Sequence, residues 1–148
     1  MAQCIVGWSH SKFGKLEDET LECLIVRVTT EAIAHAGLDA ADIDAIFLGT
    51  MNAGLCAQEF PSSLVLQADP ALRFKPATRV ENACATGSAA IHQGLNAIAA
   101  KRARFVLVVG AEKMTHLSSA AVGDCLKKAS YQPEESGIEG GFVGVFAK

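Results

Sequence analysis

The side chains with most chemistry to offer are five cysteines, at positions 4, 23, 56, 84 and 125, and four histidines, at 10, 35, 92 and 116. The cysteine count is odd and no pair has C-x-x-C spacing, so neither a zinc site nor a disulfide frame is expected. Cys84 differs from the rest in its place. Residues 78–82 read as a strand and 85–103 as a helix, so Cys84 falls where one turns into the other. Such a residue lies at the carboxyl end of a parallel sheet, where open α/β folds set their ligand sites. The free N–H groups and the positive dipole end of the helix favour a thiolate there. The same groups can help hold an oxyanion once a carbonyl is attacked. Ala85, Gly87, Ala89 and Ala90 leave room beside the sulfur. Position alone leaves two readings open, a reactive thiolate or a small packed thiol.

The other candidates are weaker. His92 follows Cys84 by eight residues on the same helix, roughly 12 Å along its axis, too far to act as its base. His35 reads as a cation at a helix end. His116 follows the last strand and should return to the edge that carries Cys84, so it is a candidate pocket residue; His10 is a lesser one. Met114 is a candidate for lining a pocket, against plain packing. Asn82 either bonds near the site or caps the helix. Cys125 sits in a polar stretch with nothing glycine-rich around it and reads as structural. Lys127 and Lys128 read as a solvated pair, with an anionic phosphate as the alternative partner.

The elements that must position Cys84 are legible. Ile5 and Val6 suggest a first strand. From Thr20 to Ala36 apolar residues recur at helical spacing, with Thr20 as N-cap and Gly37 as the left-handed stop. Residues 45–49 read as a buried strand, 62–68 as a short helix, and 105–110 as a strand covered on both faces. The alternation predicts an α/β fold: a mostly parallel sheet, of a five-stranded type, with helices on both faces. After Gly110 glycines and polar residues dominate, and residues 142–148 read as an element that stops after its start, so the fold is expected to be incomplete.

Net charge is −3 over 148 residues, with no basic run, so nucleic acid is not an expected partner. Apolar stretches fall far below a membrane span, and no basic leader or cleavage site opens the chain. Reduced thiols fit a cytoplasm-like compartment.

Residues 82–90, Asn-Ala-Cys-Ala-Thr-Gly-Ser-Ala-Ala, resemble the nucleophile segment of the thiolase superfamily. Gly110-Ala111-Glu112-Lys113-Met114-Thr115 resembles the segment after the next strand in thiolases of the sterol-carrier-protein type. Ser11-Lys12-Phe13-Gly14-Lys15 is similar to that branch's first loop, and Ala36-Gly37-Leu38 with Asp42-Ile43-Asp44 to its first helix-to-strand turn. Residues 140–147 resemble the start of a helix in the loop region. Thr86 stands where the family often has Ser. A ketoacyl synthase relative shares the cysteine junction, but the Glu112-Lys113-Met114 segment points away from it.

The resemblance implies that Cys84 takes an acyl group from an acyl-CoA or 3-ketoacyl-CoA and passes it to CoA or an acetyl-CoA carbanion. CoA thioesters would be substrates, with no separate cofactor. It implies an N-terminal α/β half over residues 1–112 and the start of an inserted loop domain over 113–148. The acid/base groups would come from Gly-His-Pro and Cys-x-Gly-Gly motifs, neither of which this chain contains. It further implies a homo-oligomer through strand 78–82, whose open edge favours association, and a C-terminal half as a possible second partner. A non-catalytic piece that completes a site with another polypeptide is the alternative.

Overall fold

The structure is a computed structural model and describes residues 3–129. Its first helix, α1 (Leu21–Ala36), is built as its sequence dictates. The Thr20 hydroxyl accepts from the Cys23 amide at 3.1 Å, and Gly37 ends the helix at φ 65°. Leu21, Ile25, Thr29 and Ile33, one turn apart, form its buried stripe.

Three strands follow: β1 (Ala45–Gly49), β2 (Ala77–Val80) and β3 (Val106–Gly110). They form a parallel sheet in the order β2-β1-β3. Gly49 pairs with Val80 on one side and Gly110 on the other, so the three carboxyl ends are level. Alternation divides the side chains between two faces. Ile46, Leu48, Leu107 and Val109 join Leu21, Ile25 and Ile33 of α1 in the main core, with Val65 and Leu72 from short 3-10 turns. Val106 and Val108 point the other way, to α2 (Thr86–Ala99). A Cβ on Gly94 would lie 3.1–3.2 Å from these valines, so the glycine lets α2 seat closely. The open parallel sheet with helices on both faces is thus as the alternation implied, with three strands among the described residues. No helix among them is long and apolar enough to cross a membrane.

Three local readings change. Ile5 and Val6 form no strand; they are 84% and 56% exposed. The segment after them lies along α1 instead, where the Trp8 amide donates to His35 Nδ1 at 3.2 Å and Ser9 bonds Glu31. Residues 62–68 form a 3-10 helix, Pro61–Gln67. In the stretch after Gly110 there is a third helix, α3 (Ser119–Lys127), capped by the Ser118 hydroxyl. It packs on residues 51–55 through Cys125, whose thiol donates to the Gly54 carbonyl at 3.0 Å. The element expected at 142–148 and the similarity at 140–147 lie outside the described residues.

Candidate active site

The chain leaves β2 at Val80 and enters α2 at Thr86, with a single 3-10 turn, Ala83–Ala85, between. Cys84 is the middle residue of that turn and is exposed. The turn is reached through Ala83 at φ 45°, a left-handed conformation that costs an L-residue about 1 kcal/mol or more. Strain of this kind persists only where neighbours over-determine it. Here Ala83 packs against the cluster of Met51, Leu55 and Cys125. The Ala85 amide donates to the Asn82 carbonyl at 2.9 Å, and the Thr86 amide to Ala83. Those two amides are therefore committed within the turn and not available to an oxyanion. Asn82 makes no side-chain cap, so of its two expected roles the capping one is not realised.

Polar groups gather at the same edge. Arg79 on β2 donates through Nε to Thr50 Oγ1 at 2.7 Å and pairs with Glu81 at 2.6 Å. Glu112, just past β3, accepts from the Met51 amide. Partial burial raises the Glu112 pKa, opposed by that hydrogen bond and by the charge of Arg79. Glu112 still keeps surface in water, so the effect is screened. Thr50, Arg79 and Glu112 border a cavity of about 20 Å³, room for about one water. A larger open groove, about 530 Å³, lies beside the turn, bordered by residues 51–54, 81–83, Lys128 and Ala129.

The sequence candidates distribute unevenly over this edge. Met114 is half-buried and joins the same cluster as Ala83, next to Cys84. His116 is exposed in the loop before α3 and outside that cluster. His92 is exposed on α2, His10 meets Phe13 edge to face with ring centroids 4.7 Å apart, and His35 is held by Trp8. Lys127 pairs with Asp124 at 3.2 Å. Lys113 is 8% exposed, and its ammonium donates to the carbonyls of Lys15 and Leu16, tying the first loop to the end of β3. Thr50 and Arg79 stood in no motif, and Thr86 and Glu112 only within the family segments, because the bonds that join them to other strands span 29 to 61 residues along the chain. The one available signal was their position at or just beyond strand ends.

This arrangement can be set beside known proteins. A family model, "Thiolase, N-terminal domain", matches residues 3–137. An acetyl-CoA acetyltransferase of Methanocaldococcus jannaschii is 38% identical over 144 residues, covering 97% of this chain and 36% of the relative. One from Methanothermobacter thermautotrophicus is 43% identical over 113 residues, covering 75% and 29%. The 3-oxoacyl-[acyl-carrier-protein] synthase III of Aquifex aeolicus is 27% identical in sequence and superposes with a TM-score of 0.57, over 67% of this chain and 32% of that one. The chain thus spans about a third of the length of the proteins it matches. With nearly its whole length matched by the thiolase N-terminal domain, the chain belongs to the thiolase family.

Proposed function

We propose that Cys84 is the acyl-accepting nucleophile of a thiolase-type acyl-CoA C-acyltransferase, and that this chain carries the first half of that chemistry. What supports this is an exposed thiol on a strained turn at the carboxyl edge of a parallel sheet, within a segment matched by the thiolase N-terminal domain. The thiolate attacks the thioester carbonyl, and the bond from that carbon to the CoA sulfur breaks. CoA leaves as a thiolate that takes a proton from solvent, and the acyl group stays on Cys84. The open groove beside the turn has room for a thioester arm and is bordered by Lys128; Met114 and His116, which lie outside its lining, are the candidate substrate contacts. Residues 1–112 act as the N-terminal half and 113–148 as the start of the loop region, working in a cytoplasm-like compartment. Passing the acyl group on needs acid/base groups beyond those in this chain, so acylation without turnover is expected. The edge position of β2 favours self-association through residues 78–82.

Incubation with acetyl-CoA followed by intact-mass measurement tests the reading. One acetyl adduct is expected on the wild type and none on Cys84→Ala. No adduct on the wild type, or an equal one on the variant, removes Cys84 from this role.

A second reading is a piece that completes its site with a separate C-terminal half; the family model that the chain matches is that of the N-terminal domain. Co-expression with such a half should give a complex with acyltransferase activity. A folded monomer that neither binds nor turns over in its presence counts against it.

A further inference from the structure

Thr86 begins α2 two residues after Cys84 and is 6% exposed. Its hydroxyl oxygen accepts from the Asn82 amide at 2.7 Å, and its O–H is directed at the Thr50 carbonyl, 3.5 Å away. Both partners are backbone groups at critical points. Asn82 is the last residue before left-handed Ala83, and Thr50 is the first past the central strand β1. The Thr86 methyl has its own place. A Cβ on Gly49 would lie 2.7 Å from Thr86 Cγ2, so the absence of a side chain at the end of β1 admits it. One buried side chain thus ties the entry of the Cys84 turn to the end of the neighbouring strand.

We propose that Thr86 is a positioning residue for Cys84, its hydroxyl clamping the Asn82 amide to the Thr50 carbonyl and so fixing the direction in which the Cys84 sulfur faces. Its functional meaning rests on the reading of Cys84 as acyl acceptor, but the positioning itself can be measured separately. Thr86→Val keeps the shape and leaves the Asn82 amide and the Thr50 carbonyl without this partner. Thr86→Ser keeps the hydroxyl and loses the methyl. The rate of iodoacetamide alkylation at Cys84, read by peptide mapping as a function of pH, is compared with Cys84 acetylation by acetyl-CoA. Thr86→Val should slow alkylation about tenfold or more and displace its pH profile, while Thr86→Ser stays within about twofold of wild type. A wild-type rate and profile in Thr86→Val, or an equal loss in Thr86→Ser, overturns the proposal. Should Thr86→Val not fold, Gly49→Ala reads the same clamp by pushing the Thr86 side chain aside. It should slow alkylation, and Gly49→Ala/Thr86→Ser, which removes the 2.7 Å contact but keeps the Thr86 carbonyl oxygen at 3.2 Å, should recover part of the rate. No slowing, or no recovery, overturns the clamp equally. A wild type alkylated at Cys84 but never acetylated removes the acyl-transfer reading, and the Val–Ser comparison still decides the positioning.

Discussion

Replacing Ala83 by glycine should leave the protein about as stable as the wild type or slightly more so, without the loss that this change usually brings. An alanine-to-glycine substitution ordinarily destabilises, by roughly 0.5–1 kcal/mol inside a helix or strand. Ala83 is at φ 45°, where an L-residue carries about 1–2 kcal/mol of strain that glycine does not. Two losses oppose the relief. The unfolded chain gains freedom, costing about 0.4–1 kcal/mol. The methyl, half-buried against Met51, Leu55 and Cys125, gives up about half of a full methylene's 0.8 kcal/mol. The balance runs from a loss of about 0.4 to a gain of about 1.2 kcal/mol. Urea unfolding of both proteins, with slopes compared to confirm that the unfolded states match, measures it. Ala83→Val brings a branched side chain to the same φ and should cost about 1–3 kcal/mol. A loss above about 1 kcal/mol in Ala83→Gly, or a neutral Ala83→Val, would refute the view that the Cys84 turn is strained and held by its surroundings.

Leu48 is fully buried on the central strand, and Leu48→Ala should lower stability by about 3–5 kcal/mol in the same urea assay. A cost below about 1 kcal/mol would mean that β1 is not the packed centre of the fold. Asp44 accepts from the Arg104 and Phe105 amides at 2.6 and 3.0 Å, which lowers its pKa. Its folded-state pKa is therefore below its unfolded one, so its contribution is present above the ordinary carboxylate value and lost as pH falls through the folded one. Because Asp44 is largely in water the effect is small, and Asp44→Asn should flatten the acid limb of a Tm-against-pH curve while changing little near neutrality. An unchanged acid limb would show that the two amides do not favour the charged carboxylate.

Much of the fold was readable because its signals are local. Thr20 and Gly37 bracket α1 through interactions that reach only a few residues, and the structure keeps both. The apolar run before Gly110 needs no partner to be recognised as a doubly covered strand, and β3 is there, one residue shorter. Ile5 and Val6 have strand-like composition, but a strand exists only when a neighbour supplies its hydrogen bonds, and this segment follows α1 instead. Helix α3 was hidden in a polar, glycine-containing stretch whose few apolar residues acquire meaning only against Met51 and Leu55.

The sequence by itself determined the layered parallel architecture, the family and the junction that carries Cys84, because periodicity, caps and a contiguous motif are all encoded within short windows. The tertiary structure decided what surrounds the sulfur. Thr50, Arg79, Thr86 and Glu112 meet at one edge only because parallel pairing brings the ends of three strands level. The hydrogen bonds at this edge join residues up to 61 positions apart, as Met51 and Glu112 are, and no local preference reports a contact of that range. The same level edge holds Ala83 in a conformation that it would not adopt alone, and so sets where Cys84 stands.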